Sequence, residues 1–386
     1  MQPDAAGYDA EAKKAVKALA QELGFDRVGI TSAEPFEDAE EIALERVRGG
    51  LMDGLPWYHE ARVKRGASPT EILPGARSII SLAMSYNVED EEPDSGRPVL
   101  RGKVARYARG RDYHGVMQRR LKQLVATLSE RIGRPVQARV YVDTGPMQDR
   151  AVAERAGVGW FGKNTNVLSP GLGSWVFLGQ VLTDLHLEPD APLRKTCGRC
   201  TICIDDCPTG ALIAPYVLDN TKCISYLTIE LRGPIPRHLR PLVGDWVFGC
   251  DICQDVCPVN RKAQPTREPE FRTGEHGFAA MDLLPLLSMS ESEFKERFAG
   301  SAIRRAKYDG MLRNACVALG NIGDPRAIPA LANALGHESS LVRGHAAWAL
   351  GVIGGEDARA ALESAQVAEA DADVREEIEA ALAAAC

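Results

Sequence analysis

At 386 residues, and with about 150 residues to a domain, the chain has room for two or three domains. Apolar residues make up 45% and charged residues 26%, which is ordinary for a globular protein and excludes wholesale disorder. The 53 acidic and 46 basic residues leave a formal charge of −7, so any nucleic-acid contact has to come from a local patch.

In chain order, Ala12, Val16, Leu19, Ala20 and Leu23 recur at helical spacing, with Gly24 as a stop. Residues 1–14 carry neither the basic start and apolar stretch of a secretory signal nor a twin-arginine pair. The longest apolar runs, such as residues 174–179, are far below the roughly 18 residues of a membrane span. A cytoplasmic protein without membrane contact is expected. Residues 77–86 read as a buried strand and residues 89–98 as an acidic surface loop. Residues 137–142 alternate as a strand, and Thr144-Gly-Pro146 turns the chain into a helix near residues 147–156. Strands and helices mix through residues 1–190, an α+β pattern.

Two features of this first region invite functional readings. Residues 101–122 hold Arg101, Lys103, Arg106, Arg109, Arg111, Arg119, Arg120 and Lys122 against the single acid Asp112, and a second basic stretch holds Arg232, Arg237, His238 and Arg240. Such stripes are candidate phosphate contacts, the alternative being a solvated helix face. Gly157-Val-Gly-Trp-Phe-Gly162 matches a dinucleotide fingerprint but follows a helix instead of a strand, which argues against a Rossmann site. Its glycines suggest close backbone approach to a ligand.

The cysteines decide the class. Eight of the 10 lie between Cys197 and Cys257, and Cys316 and Cys386 stand apart. Cys197-x2-Cys200-x2-Cys203-x3-Cys207-Pro208 has the spacing of a bacterial ferredoxin, in which the fourth thiolate reaches the other cube. A second run has Cys250, Cys253 and Cys257-Pro258, with Val247 where its first ligand belongs and Cys223 left over. Two [4Fe–4S] clusters are therefore expected, one on Cys197, Cys200, Cys203 and Cys257, the other on Cys207, Cys223, Cys250 and Cys253. Four-cysteine zinc is the alternative, although a tetrahedral ion has no use for the interleaved fourth ligand.

Towards the end, Ala318-Leu-Gly-Asn-Ile-Gly323 recurs as Ala349-Leu-Gly-Val-Ile-Gly354, with a weaker copy near residues 374–382. Helical hairpins too small to bury their own apolar faces should stack as a short HEAT-like solenoid. Residues 301–386 carry 8 basic and 12 acidic side chains, so this unit is no strong polyanion binder. The expected divisions are residues 1–190, a cluster domain at 191–265, linking helices at 266–305 and the repeats at 306–386.

Asp143 ends a strand immediately before the Thr-Gly-Pro turn. A carboxyl there suits a general acid if desolvation raises its pKa, or a mere acceptor of turn amides. Tyr141-Val-Asp-Thr-Gly-Pro146, residues 157–164, Arg106-Tyr-Ala-Arg-Gly-Arg-Asp-Tyr-His114, the ferredoxin run and Cys223-Ile-Ser-Tyr-Leu-Thr-Ile-Glu230 together resemble the epoxyqueuosine reductase family over roughly residues 8–300. The resemblance implies a cobalamin-dependent oxidoreductase with two [4Fe–4S] clusters, reducing the epoxide of epoxyqueuosine in the tRNA anticodon. It implies a mixed α/β cobalamin-binding domain, a ferredoxin-like domain and helical repeats. Asp143 would be the proton donor, and Arg65, Arg106, Tyr107, Lys163 and Asn164 would line the cofactor or tRNA side. Tyr107, Tyr113 and Tyr226 are candidates for stacking on splayed bases. The DxHxxG motif of a histidine-ligated cobalamin is absent, since neither His114 nor His186 has the glycine. An external low-potential donor of flavodoxin or ferredoxin type and a monomeric state complete the expectation. A reductive dehalogenase-like enzyme and a non-catalytic iron–sulfur electron-transfer module are the competing readings.

Overall fold

The computed structural model describes residues 7–88, 100–272 and 280–384; the acidic stretch at 89–98, residues 1–6 and Cys386 lie outside them. Helix Ala10–Glu22 begins where the Asp9 carboxylate accepts from the Ala12 amide at 2.8 Å, and buries Ala12, Val16, Leu19 and Ala20 as their spacing predicts. Four strands form one antiparallel sheet in the order Arg27–Ser32, Ser78–Ser85, Val176–Thr183, Ala138–Tyr141.

The pleat sorts the side chains of the central strand. Ile80, Leu82 and Met84 meet helix Ala10–Glu22 and the Val116, Met117, Leu121 and Leu124 face of helix Tyr113–Ile132. Ile79, with Leu182 of the adjacent strand, faces the other way, onto Met147 and onto Val152 of helix Asp149–Arg155. The result is an α+β layer arrangement, as the sequence pattern indicates. A second sheet places Arg101–Val104 between Trp246–Phe248 and Ala280–Asp282. Through it Leu100, Val104 and Ala108 share a core with the C-terminal helices.

Those helices, Tyr308–Ile322, Ile328–Ala334, Ser340–Ile353, Glu356–Ala368 and Ala372–Ala384, stack as the repeat predicts. Its glycines are the points of closest crossing. A Cβ on Gly320 would lie 2.7 Å from the Trp348 ring, and one on Gly351 would lie 2.7 Å from Ala381. The stack is also clamped to the cluster region. Buried Arg313 donates to the carbonyls of Leu227, Leu231 and Gly233 at 2.7, 2.9 and 2.8 Å. Asn314 donates to Thr228 and Val247 at 2.7 and 2.8 Å.

Gly157 and Gly159 of the 157–162 stretch lie against the chain's own backbone. Trp160–Phe161 pairs with Val167–Leu168, and Cβ atoms on Gly157 and Gly159 would strike the carbonyls of Ala191 at 2.5 Å and Leu168 at 2.7 Å. The close approach that the motif signals is made by the chain's own backbone.

Candidate active site

Helix Tyr113–Ile132 starts where Asp112 caps it, accepting from the His114 amide at 3.0 Å. That start turns Tyr113 and His114 toward the end of strand Ala138–Tyr141, where Asp143 stands. The Tyr113 hydroxyl donates to Asp143 Oδ2 at 2.8 Å, and His114 Nε2 lies 3.7 Å from the same oxygen. Nδ1 of His114 meets Asp112 Oδ1 at 2.7 Å, so the imidazole is held between two carboxylates. Tyr113 is itself fixed by stacking on Phe177 at 4.1 Å and on His114 at 4.1 Å.

Asp143 has φ 58, a left-handed conformation that aspartate tolerates at some cost in strain. Its side chain is 66% exposed. Tyr107 and Arg305 complete the surroundings: the charges of both Asp143 and Arg305 act on the Tyr107 phenol, and that of Arg305 acts on Asp143.

The electrostatics overturn one expectation. Asp143 is not raised toward a neutral acid. The His114 imidazole nearby holds it below the usual carboxylate range, against burial, helped by the Tyr113 hydroxyl and the charge of Arg305. For His114 burial lowers the pKa, but the bond to Asp112 and the nearby Asp143 carboxylate outweigh it and lift it to about 9. Six residues on, burial and then repulsion from Asp143 push Asp149 up to about 8. Its Oδ1 and the neighbouring Gln148 Nε2 are buried without hydrogen-bond partners.

Arg65 is exposed in the last turn of helix Glu60–Ala67. The Arg106 guanidinium lies over Trp175 at 4.4 Å, beside Asp255 at 3.4 Å, in a cavity of about 280 Å³ shared with Asn260 and Arg261. Tyr107 packs against Phe248 and Tyr113, with ring centroids 5.9 and 6.2 Å away. Lys163 donates to the Gly198 carbonyl at 2.8 Å, and buried Asn164 donates to that of Cys253 at 3.1 Å. These two tie the α+β layer to the cysteine loops. Tyr113 and Tyr226 are buried and unavailable for base stacking.

None of the eight clustered cysteines is in a disulfide. Burial, then the charges of Cys257, Cys197 and Cys200, push Cys203 up to about 11. Burial, then Cys223, Cys250 and Cys203, raise Cys253. With Cys207, whose charge acts on Cys223 and Cys250, these neighbours fall into the two quartets expected from spacing, meeting at Cys203 and Cys253. Amides of Ser225 and Tyr226 bond the Cys223 sulfur, and those of Val259 and Asn260 bond that of Cys257. Half-buried, closely grouped cysteines wrapped in amides suit metal-bound thiolates. Among the described residues no three ligating side chains converge tightly enough for a single metal ion. Val247, where a ferredoxin ligand was missing, is fully buried in the core.

Much of the basic stripe is ion-paired or buried, although Lys103, Arg111 and Arg119 stay more than half exposed. Arg109 is 7% exposed with its Nε on the Val104 carbonyl at 3.0 Å. Arg111 and Arg119 share Glu270 at 3.6 and 2.6 Å, Arg120 pairs with Glu268, and Lys103 meets Asp245 at 3.1 Å. In the second stretch Arg237 and Arg240 bind Glu377 at 3.0 and 2.7 Å.

Family models agree with this architecture. One described as "Epoxyqueuosine reductase QueG, DUF1730" matches residues 67–144, a "4Fe-4S double cluster binding domain" matches residues 196–260, and "HEAT repeats" match residues 300–383. An epoxyqueuosine reductase of Xanthomonas campestris is 42% identical over 343 residues, covering 88% of this chain and 96% of that protein. The crystal structure of an epoxyqueuosine reductase with an epoxyqueuosine-modified tRNA-Tyr stem loop superposes with a TM-score of 0.90 at 34% identity, covering 97% of this chain and 99% of that one. The Bacillus subtilis enzyme, solved with the loop of its catalytic aspartate swung out of the active site, gives 0.88 at 34% identity, with 97% and 99% covered. The chain belongs to the epoxyqueuosine reductase family and carries two [4Fe–4S] clusters.

Proposed function

We propose that this protein reduces the epoxide of epoxyqueuosine at the wobble position of a tRNA anticodon to queuosine. The observation that carries the reading is the exposed Asp143 carboxylate, bonded to the Tyr113 hydroxyl with the His114 imidazole 3.7 Å away. The net reaction breaks both carbon–oxygen bonds of the epoxide, forms a carbon–carbon double bond and releases the oxygen as water. It consumes two electrons and two protons.

The chain's residues divide those tasks. Cys197, Cys200, Cys203 and Cys257 hold one cluster, and Cys207, Cys223, Cys250 and Cys253 hold the other, which lies nearer the core. An external low-potential donor of flavodoxin or ferredoxin type charges them. Bound cobalamin would supply the strongly reducing two-electron centre that opens the epoxide. The unpartnered Gln148 Nε2 and Asp149 Oδ1 suit its amide side chains, and Arg65, Arg106 and Tyr107 are assigned to its cofactor side. Asp143 receives a proton from His114 and passes it to the departing oxygen, so the carboxylate acts as a relay that starts ionised. A tRNA substrate and free, unbridged cysteines fit a cytoplasmic setting.

The test is a single-turnover reaction of anaerobically reduced protein, loaded with clusters and cobalamin, on an anticodon stem loop bearing epoxyqueuosine. Mass spectrometry should show loss of one oxygen, dependent on cobalamin. No product from fully loaded, reduced protein would overturn the reading.

A further inference from the structure

The Asp143 loop, residues 142–148, is shaped from outside. Its own bonds are a tight turn, with the Thr144 amide donating to the Val142 carbonyl at 2.6 Å and the Thr144 hydroxyl reaching the same oxygen at 3.3 Å. Such a turn satisfies little backbone and leaves the following carbonyls in need of donors. Helix Glu60–Ala67 meets that need. The Arg62 guanidinium donates to the carbonyl of Gly145 and, at 3.5 Å, to that of Thr144. One turn on, the absence of a side chain at Gly66 admits the Pro146 carbonyl, which would stand 2.0 Å from a Cβ there. On the loop's inner side a Cβ on Gly145 would strike the Tyr141 ring at 2.4 Å. The loop is thus pinched between its own strand and this helix, and the positive φ of Asp143 is maintained by both.

We infer that Arg62 is a positioning residue, a latch that sets Asp143 at the reacting centre by gripping the two carbonyls after it. Arg62 does not touch Asp143, so its effect runs through the loop backbone. A charged donor shared by two carbonyls is strong enough to hold a short strained turn. Releasing it shifts the carboxylate away from Tyr113 and His114, and misplacement by about 1 Å can cost a hundredfold in rate. The inference rests on the reading of Asp143 as the proton relay.

The test compares Arg62→Ala, Arg62→Lys, Gly66→Ala and Asp143→Asn in holoenzyme. Arg62→Ala should lower the single-turnover rate about ten- to a hundredfold, with cobalamin absorbance, stem-loop affinity and thermal midpoint near native. Added guanidinium should restore part of that rate, because the donor and not the side-chain stem is missing. Hydrogen exchange should rise in residues 144–147. Gly66→Ala should also lose rate by pushing on Pro146, and guanidinium should not rescue it. Lys, a point donor, should fall between Arg and Ala.

A native rate in Arg62→Ala beside an inactive Asp143→Asn would overturn the latch alone. Native rates in both would sink the relay reading on which it rests. Rate loss in Arg62→Ala matched by a fall in thermal midpoint, without guanidinium rescue, would make Arg62 a residue of general stability and also refute the latch.

Discussion

The Tyr113 hydroxyl donates to Asp143 at 2.8 Å while its ring lies flat on Phe177, 4° from parallel. One side chain thus links the aspartate loop to the core of the sheet. Tyr113→Phe keeps the stack and deletes the bond. A hydrogen bond to an ionised group is worth about 1.5–3 kcal/mol, so the single-turnover rate should fall by about one to two orders of magnitude. The stem-loop dissociation constant should stay within about threefold of native. A native turnover rate would show that Asp143 is positioned without Tyr113.

His114 gives the reaction a pH limit. Its pKa of about 9 means that the imidazolium, and the proton it stores for Asp143, persist through neutral pH. The single-turnover rate should therefore be flat near pH 7 and fall as pH rises through about 9. His114→Gln should remove that alkaline limb and lower the plateau by about 10²-fold, the lesser worth of a positioned acid. A rate that instead falls near pH 4–5 and is flat above would locate the proton elsewhere.

Much of this site could be read from the chain, and what could not has a common cause. Cysteine ligands sit in short local spacings, so their pattern survives in one dimension, and Cys223 follows by count once Val247 occupies a ligand's place. Asp143 is legible because the strand and the turn that present it are adjacent in sequence. The sign of its pKa shift is not legible, since it depends on His114 from another element and on Arg305 from far along the chain. The same distance hid the neutralisation of the basic stripe. Arg111, Arg119 and Arg120 look like a free cationic face until residues 268–270 fold against them. The glycines at 157–162 signal close approach correctly, but they carry no information on what approaches.

Cys223→Ser should cost one cluster and spare the other. Cys223 belongs to the quartet with Cys207, Cys250 and Cys253, and the Arg313–Asn314 clamp holds the helix after it independently. The expected result is a drop from eight to about four irons per chain, with one electron paramagnetic resonance signal retained on reduction. Retention of both signals and all the iron would assign the fourth ligand elsewhere.

Charge reversal in the stripe should affect folding more than RNA binding. Arg109→Glu places an acid where a buried guanidinium donates to Val104, and should lower the thermal midpoint sharply. Arg111→Ala, already paired with Glu270, should leave the slope of log Kd against log salt unchanged. Each lost phosphate contact would instead lower that slope by about one. A slope reduced in Arg111→Ala would show that the pair opens onto RNA.

Asp149 makes the fold sensitive to alkali. Burial, then repulsion from Asp143, raise its carboxyl from 3.8 to about 8, with Arg150 and Arg62 opposing. Between those values the folded chain holds a proton that the unfolded chain releases. Stability from this group therefore falls as pH rises from about 4 and levels off above about 8, at up to about 1.4 kcal/mol per pH unit. His114 has the window from 6.5 to about 9, where its contribution is full below 6.5 and is lost as pH rises. Asp112 and Asp143 are held below the usual range and stay ionised throughout. Between pH 5 and 6.5 Asp149 therefore titrates without these three, while Asp251, raised by burial to about 7, adds a slope of the same sign. Subtracting an Asp149→Asn variant isolates Asp149, since amide and neutral carboxyl have the same shape. Denaturant midpoints measured anaerobically across this interval should diverge, with the variant gaining on the native protein as pH rises. Parallel curves would mean that Asp149 is ionised in the folded state, and that the buried Oδ1 has a cationic partner.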